Sequence, residues 1–305
     1  MLSVILGVGG ALVYGVSDFF GGLGARHLGA LRVTWIAVFT GLVAVYLTFM
    51  VVDGDWSRIT WPALMWGGFS GISGALGIMF LYASLAIGPM SIVSPLGAVV
   101  AACVPVIWEI LIGHLLGPLS YVAILVALIA VVMVGFVKSE GAVRVNPRGI
   151  AFAVLAGLGI GGYLVCMSNT PHDSGLQPFL ANRVIAFVVL SIAMLATWLV
   201  KLAHRRGIGH EGQPRADVVV GEHGEVNWKL GLIFAAICGV LDTAGNIFIL
   251  EGVRMGSLSV MGVLASLYPA GTIALAAIVL KERIGIVQWI GMGLALAAIA
   301  LLSLT

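Results

Sequence analysis

Polar residues in this chain are gathered into short stretches, and ten long apolar runs lie between them. The runs cover Leu2–Leu23, Ala30–Val52, Trp61–Ile87, Ser91–Gly113, Leu119–Val137, Gly149–Ser168, Phe179–Val200, Leu230–Leu250, Leu258–Leu280 and Ile284–Leu304. A helix rises about 1.5 Å per residue, so a run of about 20 residues crosses the hydrocarbon core of a bilayer. None of the runs shows the strict alternation of a lipid-facing strand. Backbone polar groups in lipid must be satisfied within their own segment, which predicts ten transmembrane helices.

Composition makes the solvent explicit. Hydrophobic residues are 61% of the 305, charged residues only 9%, and the mean hydropathy is +1.14. A soluble domain carries about 25% charged residues. There are too few polar side chains here to cover a water-facing surface, so the partner is the lipid bilayer and the protein is a multi-pass protein of the plasma membrane. The formal net charge of +2 and the scatter of basic residues point to no nucleic acid. Cys103, Cys166 and Cys238 fall in three separate apolar runs, with no metal-ligand spacing, and read as small buried hydrophobes. No Lys or Arg precedes the first apolar run, which argues against a signal peptide.

Two linkers are long and polar. One is "KSEGAVRVNPR" at Lys138–Arg148. The other is Lys201–Lys229, with His204, His210 and His223 at spacings that fit a solvated loop and no metal. The remaining linkers are short. "VLKERIGIVQWIG", Val279–Gly291, sets Lys281, Glu282 and Arg283 between two apolar runs. A weaker version of that hairpin recurs 168 residues earlier, where His114 precedes Glu282 in register and Ser91 precedes Ser259. The chain therefore divides near Ala142 into two halves, 1–141 and 142–305, of five spans each. An odd number of spans starts the second copy on the opposite side of the membrane, which gives inverted repeats and two similar arrangements, one open to each side. The fold class expected is an all-α integral membrane protein of ten transmembrane helices in two inverted five-helix repeats.

Leu280, Glu282, Arg283, Gln288, Gly291 and Gly293, with Pro269 thirteen residues before Glu282, form an end-of-repeat pattern that resembles the EamA-type family of the drug/metabolite transporter superfamily. In the first half His114, Leu115 and Ala101 stand where the acidic residue, the Arg and the Pro are usual. The resemblance implies a secondary transporter whose first, third, fourth, sixth, eighth and ninth helices line a central cavity. It also implies that the charged hairpin is a structural signature rather than a substrate site. Its charges sit at headgroup level and satisfy helix ends.

Basic residues orient the chain. Twelve Lys and Arg fall on one set of loops and helix ends, against Arg58, Arg183 and Arg254 on the other. Basic loops stay cytoplasmic, which puts both termini outside.

Ionisable groups within spans are the candidates for chemistry, since each costs roughly 2.5–3.5 kcal/mol at mid-helix. Asp18 lies in the first span with Tyr14 one turn before it. Asp242 lies near the middle of the eighth with Asn246 one turn on. Glu109 follows Trp108 in the fourth, and Asn182 and Arg183 open the seventh. Structural readings stand beside these: Asp18 capping backbone where the helix loosens at Gly21–Gly24, and Asp242 bridging two helices. The functional reading makes Asp18 and Asp242 the proton carriers, because desolvation disfavours a charged carboxyl group and lets it take a proton on one side and release it on the other.

Glycines at 67, 71, 74 and 77, and again at 157, 159, 161 and 162, predict close helix approach or sliding. Pro89, Pro95, Pro105 and Pro269 predict bent helices. No nucleotide-binding loop and no catalytic motif such as HExxH or GxSxG occurs, so no enzyme and no cofactor is expected and the energy comes from a gradient. The expected activity is export of a small-molecule substrate (a metabolite, an amino acid or a drug-like compound) by a monomer or homodimer. Flipping of an amphipathic lipid and, behind it, a membrane-embedded enzyme are the alternatives.

Overall fold

The computed structural model describes residues 2–52, 54–56, 59–87, 90–134, 147–205, 227–269, 271, 275 and 285–303. Lys281–Arg283, Ala142 with most of Lys138–Arg148, and His210 and His223 lie outside them. Among the described residues ten α-helices follow one another: α1 (Leu2–Leu28), α2 (Ala30–Val52), α3 (Trp61–Ile87), α4 (Met90–Leu111), α5 (Pro118–Val134), α6 (Pro147–Ser168), α7 (Gln177–Arg205), α8 (Trp228–Met255), α9 (Leu258–Ala265) and α10 (Ile286–Ser303). Six of them, α1, α2, α3, α6, α7 and α8, are long and apolar enough to cross a membrane. The apolar stretches of α4, α5 and α10 are shorter. Large apolar side chains stand on the outside, such as Val51 at 86% exposed and Ile192 at 62%. A soluble protein would bury such a surface; a multi-pass membrane protein turns it to lipid.

Two boundaries differ from the expectation, each for a local reason. The first span runs on to Leu28, and Gly21–Gly24 does not loosen it. The chain reverses within the single residue Gly29, whose φ of 81° suits a residue without Cβ. The ninth span is not one helix. α9 ends at Ala265, and Ser266 and Leu267 form a turn. Pro269 explains the stop: it has no N–H to donate to Ala265, four residues back, and its ring crowds that carbonyl. By contrast α4 passes Pro95 and Pro105 as a single helix.

Pairing between helices is regular. α1 packs on α8, and α6 packs on α3. α2 packs on α8, and α7 packs on α3. α4 packs on α6, and α9 packs on α1. Each second member of these couples is the first with the halves exchanged. α2 with α7, α4 with α9 and α5 with α10 are partners across the halves.

The glycine stripes are the seams of this packing. A Cβ on Gly77 would stand 2.7 Å from the Ile160 backbone nitrogen, and one on Gly159 2.6 Å from Gly77 Cα. On its opposite side α6 meets α4, where a Cβ on Gly157 would lie 2.6 Å from the Gly97 carbonyl oxygen. Further along α3, Gly71 leaves room for the Asn182 carbonyl of α7. Small residues let backbones approach where lipid supplies no hydrophobic drive.

Glu109 closes the bundle at one end. Its carboxylate, 7% exposed, accepts from Ser257 Oγ at 2.9 Å and from the backbone N–H groups of Leu258 and Ser259 at 3.0 Å each. It is the charged cap of α9, supplied by α4. At the same face Arg254 Nη2 donates to the Gly175 carbonyl and Gln177 Nε2 donates to the Asp55 carbonyl.

Replacing Gly159 by Ala forces α3 and α6 apart and should cost about 1–3 kcal/mol. Replacing Glu109 by Ala strands two buried N–H groups and should cost about 2 kcal/mol. Thermal unfolding of the detergent-solubilised protein checks both; unchanged midpoints would remove these seams and this cap from the account.

Candidate functional site

α1, α2, α3, α4, α6, α7, α8 and α9 surround a cavity of about 130 Å³. Its polar lining comes from Tyr14, Asp18, Thr34, Tyr163, Asn182, Arg183, Asp242, Asn246, Ser266 and Tyr268, and the rest is aliphatic or glycine. Depth along the membrane follows from helix position. Asp242 is fourteen residues from the start of α8 and thirteen from its end, and Tyr14 is equally central in α1. The turn at Ser266 and Leu267 lies at the cavity, so Ser266 reaches it from a turn and Tyr268 from the helical residues just beyond.

A chain of polar contacts crosses the cavity wall. Tyr163 Oη of α6 donates to Asn246 Oδ1 of α8. Asn246 Nδ2 donates to the Asp242 carbonyl at 2.6 Å and to Asp242 Oδ2 at 3.0 Å. Arg183 Nη2 of α7 forms an ion pair with Asp242 Oδ2. The Arg183 side chain is 6% exposed, that of Asp242 24%, and the guanidinium lies 4.9 Å from the Phe179 ring centroid. Its Nε is buried without a hydrogen-bond partner. Behind it Asn182 Nδ2 donates to Ser70 Oγ of α3 at 2.8 Å, and Ser70 Oγ donates to the Gly67 carbonyl.

Asp18 behaves differently from Asp242. It lines the same cavity, one turn from Tyr14, yet its carboxylate receives no hydrogen bond and no ion pair from the described residues. Among the described residues it caps no backbone group. Tyr14 lies flat on Gly245 of α8, where a Cβ would come within 2.8 Å of its ring.

The structure thus gathers five of the seven candidate residues, Asp18, Asp242, Tyr14, Asn246 and Arg183, into one cavity. Glu109 caps α9, and Trp108 packs beside it against the core. Neither lines the cavity. Sequence reasoning missed Tyr163, Thr34, Ser266 and Tyr268. Only Tyr163 left a signal, as a lone tyrosine in the glycine-rich sixth run.

Residues 147–304 match the model of the EamA-like transporter family, slightly more than half of the chain. The chain belongs to the EamA-like transporter family. That family is part of the drug/metabolite transporter superfamily, so this EamA-like chain is a membrane transporter of that type. A solved crystal structure, described only as that of a protein, superposes on the transporter with a TM-score of 0.70 at 14% identity, covering 99% of this chain and 96% of the other. At that identity it shows that the two share a fold. No curated protein matches the chain.

Removing one member of a buried ion pair leaves the other charge stranded. Arg183→Met and Asp242→Leu should therefore each destabilise this transporter by about 3 kcal/mol, and the double variant should recover most of the loss. Thermal unfolding of the three variants tests the pair. Strict additivity would show that the two groups do not depend on each other.

Proposed function

We propose that the protein is a proton-coupled secondary transporter that exports a small molecule by alternating access, with the central cavity as its site. The observation that carries this reading is the joint lining of one mid-membrane cavity by helices of both halves, with two carboxylates facing it. The exchange symmetry of the helix pairing supports ten spans arranged as two inverted repeats. Inversion gives each half the role of the other when the cavity changes sides.

Under this reading the structure is the state closed at the face that carries the termini. Glu109 on α9, Arg254 on Gly175 and Gln177 on Asp55 all bind at that face. Each contact joins residues far apart in the chain, and all must part for the cavity to open there. The bias of Lys and Arg places this face outside the plasma membrane, so the cavity of this state communicates with the cytoplasm. Asp18 exchanges the driving proton, Asp242 stays paired with Arg183 and Asn246, and Tyr14 and Tyr163 border the substrate beside them. Two complete halves in one chain make a monomer sufficient, with a homodimer as the other arrangement.

The test is an untargeted mass-spectrometric comparison of medium and cytosol from cells carrying no copy, the wild type, or Asp18→Asn/Asp242→Asn at matched expression. The wild type should move at least one compound outward and the double variant should not. Equal movement by the double variant removes the coupling assignment, and no movement by the wild type removes the transport reading.

A further inference from the structure

The hydrogen bonds of the cavity are distributed unevenly, and the imbalance indicates what it binds. Several of its donors are already engaged. Thr34 Oγ1 donates to the Ala30 carbonyl at 2.9 Å and Ser266 Oγ to the Val263 carbonyl at 2.7 Å. Tyr163 donates to Asn246, Asn246 to Asp242, and Asn182 to Ser70. Arg183 Nη2 is held by Asp242, and Nε of the same guanidinium is buried without a hydrogen-bond partner. The Asp18 carboxylate is a charged cavity acceptor to which no described residue donates.

Charge tells the same story. The cavity lining holds two carboxylates, Asp18 and Asp242, against one guanidinium, Arg183. Pairing of Arg183 with Asp242 leaves one negative charge, on Asp18. A bound anion would meet that charge. A zwitterion would set its carboxylate beside an Arg183 already paired with Asp242. An ammonium group supplies the missing donors and the missing charge together.

Resting on the transport reading above, we propose that the cargo is a small organic cation, a protonated amine, whose ammonium N–H groups bind the Asp18 carboxylate. Size limits it further: the cavity of about 130 Å³ is near the roughly 150 Å³ of an engineered cavity that holds benzene. A single ring or a short aliphatic chain fits. Tyr14, Tyr163 and Tyr268 line the same space and bring aromatic rings beside the cation and its apolar body. Exchange then balances simply. The cation leaves the carboxylate on one side, a proton takes its place to give the neutral acid, and the proton is released on the other side before the next cation binds. One positive charge moves each way, so the cycle is electroneutral. Asp242, held by Arg183 and Asn246, keeps its charge throughout. Arg183, Asp242, Tyr163 and Tyr268 from other elements, and Tyr14 on its own helix, are the titratable groups that line the cavity with Asp18.

The experiment uses the full chain, purified in detergent, with a panel of similar size: benzylammonium, cyclohexylammonium, butylammonium, benzyl alcohol, benzoate and phenylalanine. Thermal midpoints are read against concentration. The ammonium compounds should raise the midpoint and the neutral, anionic and zwitterionic compounds should not. Asp18→Asn should weaken apparent affinity for the ammonium compounds at least about tenfold, the scale of a lost charge-assisted bond. Asp18→Glu should restore the preference for cations, which a merely unfolded variant would not. Stabilisation by benzoate or phenylalanine in preference to the amines overturns the proposal, as does ammonium binding unchanged in Asp18→Asn, or no stabilisation by any amine. Flux of the same compounds in proteoliposomes separates the two readings. An anion or zwitterion that binds and crosses leaves transport standing and the cation assignment lost. An amine that binds by Asp18 while nothing crosses leaves the cation site standing and transport lost.

Discussion

A guanidinium and a carboxylate set in the middle of a lipid-immersed bundle have little water to screen or solvate them, so each needs the other. Arg183 and Asp242 meet across α7 and α8, and the rest of the centre is arranged around that meeting. Asn246 steadies the carboxylate from one turn away, Tyr163 steadies Asn246 from α6, and the Phe179 ring lies against the cation. Three helices of the second half are thereby fixed to one another at mid-membrane. Because the pair is self-contained, it leaves the first half free to bring a second, unpaired carboxylate, Asp18, to the same space. A charged centre in the membrane becomes tolerable and also chemically useful.

Around the centre, packing is by backbone approach. Gly77 against Gly159 and Gly157 against Gly97 and Val100 place α3, α6 and α4 so close that a methyl group would collide. Such seams are smooth, and they lie between helices that both line the cavity. The broken ninth helix adds a turn where a continuous helix would have offered only its side. One proline, Pro269, accounts for that turn and for the placing of Ser266 and Tyr268. At the face carrying the termini, polar contacts join residues far apart in the chain, Glu109 to the start of α9 and Arg254 to Gly175.

The elements most legible in the sequence were those written in local composition. The apolar runs located the helices, because lipid forces every backbone group into a helix and leaves few alternatives. The glycine spacings located the seams, since close approach needs a missing Cβ whatever the partner is. Asp18, Asp242, Tyr14, Asn246 and Arg183 were legible as candidates because a charge in an apolar run is costly and needs a reason. Their arrangement was not. Arg183 and Asp242 are 59 positions apart and on different helices, and nothing in either run names the other. Glu109 looked like the same kind of residue as Asp18. Only the three-dimensional position of α9, 149 residues away from it in sequence, made it a cap. The exact stop of α9 needed the knowledge that Ala265 is the residue whose carbonyl Pro269 fails to satisfy.

The central claim is that one cavity serves both sides of the membrane in turn. The most direct measurement replaces Ser266 by Cys in a chain whose Cys103, Cys166 and Cys238 have been changed to Ala, reconstituted in oriented vesicles. A membrane-impermeant maleimide is then applied to one side or the other. Reaction from either side, in proportions that shift when the pH gradient is reversed, is the predicted result. Reaction from one side only, under both gradients, would contradict the account.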